Sequence, residues 1–263
     1  MESDLPTPFM EAATSGDVER LKQAIETQKA SLSEKAIQGL LTAVAWKSHE
    51  PIVSLLLSNY PSLPIEEETV RAAIYSGFIP LCSALFSRDP SLVNLAFDRR
   101  GTPLIIACLS RQSNSFLTFL LESGADPNQD PDVSPYPIAA VAAFYEDTDA
   151  AALLLRHGAE MKHTGALTAA AARGNDIILR YLLENGADHE TDCVQSGRPD
   201  LALHVAAKRG YISAAKILLE HGVDPCVKNA EGKTALETVE EVEKWDGKNL
   251  SEIKEILMTK GRK

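Results

Sequence analysis

The chain has 263 residues, with 37 Asp and Glu against 26 Lys and Arg, giving a formal net charge of −11. That balance disfavours general attraction to nucleic acid or an anionic membrane, because phosphate binding draws most of its affinity from Lys and Arg. Hydrophobic residues at 44% and charged residues at 24% exclude a disordered chain, and with only 6% aromatics the core must be built from small and aliphatic side chains.

From the N-terminus, Met1 to Pro6 has neither a basic start nor an apolar run, and no stretch reaches the roughly 18 apolar residues of a membrane span. These features predict a protein kept inside the cell, cytoplasmic or nuclear, neither secreted nor in a membrane. The first elements are short helical segments marked by Ala12-Ala13-Thr14-Ser15-Gly16, by Ser48-His49 with Leu55-Leu56-Leu57, and by Ala73-Ile74-Tyr75-Ser76-Gly77. Next comes Thr102-Pro103-Leu104, a helix start in which Thr can cap free N–H groups and Pro sits where no intrahelical bond is lost. Loss of Leu104 should therefore matter more than loss of Pro103.

The block Gly124-Ala125-Asp126-Pro127-Asn128 then recurs in varied form from Gly158, Gly186 and Gly222, each time after paired Leu: Leu120-Leu121, Leu154-Leu155, Leu182-Leu183 and Leu218-Leu219. Glycine after the Leu pair supplies the left-handed backbone that ends a helix. Anchors at Phe9, Leu41, Val70, Leu104, Ile138, Leu167, Leu203 and Leu236 are spaced by 32, 29, 34, 34, 29, 36 and 33 residues. The spacing centres near the ~33 residues of one known repeat class and below the ~40 of HEAT and armadillo units. In each unit a small Ala pair lets the first helix approach its neighbours, and the Leu pair buries the second.

Period and motifs together resemble the ankyrin repeat family, over nearly the whole chain and most closely from Leu104 to Leu236. The resemblance implies an all-α solenoid of about eight helix-turn-helix units, capping repeats included. It is expected as a single domain over 1–263, with an N-terminal cap 1–35, repeats 36–229 and a C-terminal cap 230–263. The run around Glu240 in Glu237 to Lys263 reads as the polar outer face a terminal repeat needs. Repeats four and five carry one extra residue between anchor and closing Gly, which predicts longer inter-helix turns. Lys162-His163-Thr164-Gly165-Ala166 leaves repeat six almost without a hairpin, while repeat seven has a longer one from Asp192 to Asp200, so a notch is expected beside Ile138 to Leu167.

The resemblance also implies that partners meet the C-terminal ends of the first helices. Here that row offers Trp46, Tyr75, Leu109, Phe144, Tyr145, Arg173, Lys208 and Arg209, residue types frequent in binding hot spots. The expected partner is another protein, as a peptide or loop, on an adaptor or scaffold; the basic end suits an acidic segment or a carboxylate. An alternative is a small-molecule ligand or an unusual enzyme using the notch, ringed by Tyr136, Phe144, Tyr145, His163 and Arg173, with His163, Tyr145 and Asp147 as weak catalytic candidates.

His204 and His49 occupy turn positions that the family uses structurally. His157 and His221 precede helix-ending glycines, where they can satisfy terminal carbonyls. Cys82, Cys108, Cys193 and Cys226 lie far apart, without metal or disulfide spacing, and read as reduced, mostly buried thiols. No phosphate-binding, zinc-protease, nucleophile-elbow, dinucleotide or calcium motif is present, so no cofactor or metal is expected.

Overall fold

The computed structural model describes residues 7–28, 33–98, 100–129, 135–189, 192, 201–247 and 249–260. Each sequence anchor falls in the first helix of a helix pair, because an apolar residue followed by two small ones gives one face narrow enough for close packing. The chain forms two compact units, Met1–Asp126 and Pro127–Lys263. The first holds α1 (Thr7–Ser15) with α2 (Val18–Gln28), α3 (Glu34–Trp46) with α4 (Glu50–Asn59), α5 (Glu67–Ser76) with α6 (Ile79–Arg88), and α7 (Pro103–Leu109) with α8 (Asn114–Glu122). The second holds α9 (Pro137–Phe144) with α10 (Asp149–Arg156), α11 (Ala166–Arg173) with α12 (Asp176–Glu184), α13 (Ala202–Arg209) with α14 (Ile212–Glu220), and α15 (Ala235–Asp246) with α16 (Ser251–Lys260).

Within the first unit α1, α3, α5 and α7 pack in series, and α2, α4 and α6 form a second row. Within the other, α9, α11, α13 and α15 make one row and α12, α14 and α16 a second. Helices this short are marginal alone, so burial between pairs holds them. The small pairs Ala12-Ala13, Val44-Ala45, Ala72-Ala73, Ala107-Cys108, Val141-Ala142, Ala170-Ala171 and Ala206-Ala207 are all buried. The Leu pairs divide their work. Leu120, Leu154, Leu182 and Leu218 are fully buried, whereas Leu155 and Leu183 are only partly so.

Turns between the two helices of a pair decide where each first helix ends. Gly77, Gly174 and Gly210 take φ of 64°, 65° and 83° there, and Ser48 and Arg111 hold the same left-handed turn at 57° without being glycine, at a cost of about 1 kcal/mol each. Gly77 has a second reason to be glycine. The Gln112 side chain of the next repeat lies where a Cβ would stand, and its Nε2 donates to Ile74 O at 3.2 Å and Tyr75 O at 3.0 Å. In the second unit Tyr211 closes on Gly174 in the same way.

The longer turns expected in repeats four and five are present: residues 110–113 and 145–148 separate the paired helices, against only 174–175 in repeat six. The shortened hairpin of repeat six is present too, with residues 157–165 joining α10 to α11 where 123–136 join α8 to α9. Most of the repeat-seven hairpin, including Cys193 and Asp200, lies outside the described residues.

Two asparagines bind successive repeats together. Asn94, at the end of a 3-10 turn over Pro90–Asn94, donates to Gly124 O and accepts from Asp126 N, both at 2.8 Å. Asn128 repeats the device one unit on, donating to Gly158 O at 2.8 Å and accepting from Glu160 N at 2.7 Å. In both, one amide satisfies a donor and an acceptor of a loop that would otherwise be left to solvent.

Candidate functional site

The ends of the first helices carry the large side chains the sequence singled out. In the first unit Trp46 is 48% exposed, Tyr75 42% and Leu109 37%, unusual for residues of this size on a surface. Trp46 and Tyr75 stack, with ring centroids 6.2 Å apart and planes 17° from parallel. Trp46 Nε1 donates to a Glu68 carboxylate oxygen at 3.2 Å, and Glu68 is also ion-paired with Arg71. Both rings are thus braced while much of their area stays open.

The second unit carries a different row. Arg173, the last residue of α11, lies over the half-buried Phe144 ring with its guanidinium carbon 4.7 Å from the centroid. Lys208 and Arg209 end α13 and are exposed. Tyr145 is half-buried, and its carbonyl accepts from Asn175 Nδ2 at 2.7 Å, which ties the α9–α10 turn to the next repeat.

Of the residues grouped around the notch, Phe144 and Arg173 are in contact. His163 is exposed and held at φ 60° beside Gly165 at 72°, as the short hairpin requires. Asp147 is exposed and accepts from the N–H of Asp149, the first residue of α10, at 3.0 Å. A cavity does exist in this unit, but it is lined by His189, Leu201 to His204, Val223, Asp224 and Val227, away from all three catalytic candidates.

His204, fully buried, donates through Nε2 to Lys233 O at 2.8 Å, tying its repeat to the following turn, and among the described residues its buried Nδ1 has no hydrogen-bond partner. His221 Nδ1 donates to Ile217 O at 2.8 Å, the terminal-carbonyl role expected of it. Burial pushes the Cys82 thiol up to about 12 and Cys108 higher still, while Cys226 is exposed. Among the described residues no cluster of three His, Cys, Asp or Glu could hold a metal ion, and no helix is long and apolar enough to cross a membrane.

Sequence reasoning missed Asp192. Repeat six starts α11 at Gly165, which has no side chain to cap with; Asp192, from the next hairpin, does so instead. Its carboxylate accepts from Leu167 N at 3.2 Å, Thr168 N at 2.8 Å and Thr168 Oγ1 at 3.0 Å. Only 4% of the residue is exposed. That desolvation pushes its pKa from 3.8 up to about 6, against the lowering by donors on Thr168, Leu167 and Ala166. The absence of a Thr-Pro start before Leu167 was the one available signal that a cap had to come from elsewhere.

Comparison with known proteins agrees with this geometry. The family model for ankyrin repeats, itself three repeats long, matches residues 104–193 and 167–238, together just over half the chain. Ankyrin repeat and SOCS box protein 11 of Danio rerio is 34% identical over 116 residues, covering 41% of this chain and 34% of that protein. Ankyrin repeat and SOCS box protein 16 of Mus musculus is 31% identical over 135 residues, covering 45% and 28%. These matches thus span about a third of the relatives' length. The crystal structure of the human ASB11 ankyrin repeat domain superposes with a TM-score of 0.61 at 21% identity, covering 97% of this chain and 98% of that one, a likeness of fold. Repeat period, helix pairing and family match converge: the chain belongs to the ankyrin repeat family.

Proposed function

We propose that this chain is a protein-interaction scaffold that holds a peptide or loop of a partner protein at the ends of its first helices. The observation that carries the reading is the Trp46–Tyr75 stack: two large rings, braced by each other and by Glu68, left more than 40% exposed. Burying such rings in a partner gives large contact area at little conformational cost, since they are already ordered. Ankyrin repeat domains are in general protein-interaction modules, and the relatives' names describe multidomain proteins in which such repeats are one part.

Selection of displayed random peptides on the immobilised protein tests this. Peptides should be enriched on the native chain, and those selected on the first unit should be lost on a W46A/Y75A double variant that keeps its helical content. Failure to enrich any peptide, or enrichment indifferent to changes at every helix end in either unit, would overturn the proposal.

A further inference from the structure

The second unit presents two cations whose placement argues for a particular partner chemistry. Arg173 and Arg209 are the last residues of neighbouring first helices, α11 and α13, and both are exposed. On a chain with 37 carboxylates to 26 Lys and Arg, many surface cations are neutralised in place, as in Arg20–Glu11, Arg180–Glu220, Lys216–Glu252 and Lys254–Glu243. Among the described residues neither Arg173 nor Arg209 pairs with a carboxylate. Arg173 instead rests on the Phe144 ring, which fixes the guanidinium without using its N–H donors. Exposed acidic groups lie on the neighbouring elements: Glu146 and Asp147 in the α9–α10 turn, and Glu240 on α15. A long polyanion laid along this row would meet those carboxylates, whereas a short acidic stretch would not.

Resting on the protein-interaction reading above, we infer that the second unit binds an acidic peptide segment, with one carboxylate at Arg173 and a second at Arg209. Packed helices lie roughly 8–10 Å apart. A polyproline II chain rises about 3.1 Å per residue with three residues per turn, so side chains three apart share a face and span about 9 Å. The motif that fits is therefore acid-x-x-acid in an extended, Pro-compatible segment. Each arginine can take its carboxylate through two N–H donors.

The test uses fluorescent probe peptides of Pro and Ala carrying two Glu three residues apart, with controls in which the Glu are adjacent or replaced by Gln, and a single-stranded DNA oligonucleotide. The spaced-Glu probe should bind the full chain, the Gln probe should not, and binding should weaken as salt rises. Arg173→Glu and Arg209→Glu should each lose about tenfold, and Arg156→Glu, the same charge change at the exposed end of α10, should lose nothing. Equal binding of adjacent and spaced Glu, or of the DNA, would overturn the inference. So would indifference to Arg173→Glu in a variant whose melting is unchanged. If the acidic probe fails while random-peptide selection still yields binders sensitive to W46A/Y75A, the acidic assignment falls and the scaffold reading stands. If selection also fails, both fall.

Discussion

The first helices of repeats four and six start in opposite ways. In α7 the cap is local: Thr102 accepts from Ile105 N at 3.5 Å and Pro103 follows as the first helical residue. In α11 the N-cap residue is Gly165; Thr164 Oγ1 accepts locally only from Ala166 N at 3.4 Å, while Leu167 N and Thr168 N are taken by Asp192, 25 residues from Leu167 along the chain. One helix carries its own start signal, while the other borrows it from the hairpin of the next repeat. Shortening one hairpin does not simply delete a turn. It shifts the cap onto a buried charge, and makes one repeat depend on its successor for more than apolar contact.

The largest expected effects test what the two helices share. Leu104→Ala and Leu167→Ala should each cost about 2–5 kcal/mol in chemical denaturation, since both anchors are fully buried. Replacing Pro103 should cost less than replacing Leu104. Markedly unequal losses for the two anchors would show that the repeats are not packed by one rule.

Next come the caps. Asp192→Ala leaves two backbone donors and the Thr168 hydroxyl without their acceptor, so it should cost about 2 kcal/mol, against about 1 for Thr102→Ala. Melting of the two variants makes the comparison direct. Equal or reversed losses would remove the claim that the borrowed cap matters more.

The pH dependence separates the caps further. Asp192 titrates at about 6 in the folded chain against an ordinary 3.8, so between these values the folded state holds a proton that the unfolded state releases. Its contribution to stability is complete below the lower value and is lost as pH rises through the upper one. Stability of the native chain should accordingly fall, relative to Asp192→Asn, as pH rises across that window. Thr102→Ala should follow the native profile.

How much of this was legible in the sequence depends on what carries the information. Repeat period, Ala pairs, Leu pairs and glycine stops are fixed by residue type, because only small residues fit between helices and glycine relaxes the left-handed turn. Leu104, Ile138, Leu167 and Leu203 accordingly fell where expected. Ser48 and Arg111 hold that turn against type, which no pattern announces. Asn94 and Asp192 act through hydrogen bonds to partners 24–32 residues away. Such links are almost one repeat long and can be made by several residue types, so periodicity alone does not reveal them. The exposed row was nameable from the sequence, but the bracing of Trp46 by Glu68 and of Arg173 by Phe144 required coordinates.

A stability effect smaller than that of the anchors is expected at the row itself. W46A or Y75A should cost less than either anchor, about 1–2 kcal/mol, since half-open rings give up only part of the burial of a core side chain. A large loss would assign these rings to packing between repeats instead.

Amide chemical-shift mapping with a peptide selected on the native chain locates the surface that holds a partner. Perturbations should concentrate at the C-terminal ends of first helices, around Trp46, Tyr75 and Leu109 or around Phe144, Arg173 and Arg209. Perturbations confined to the second helices, or to the end of α15 around the 80% exposed Trp245, would contradict this.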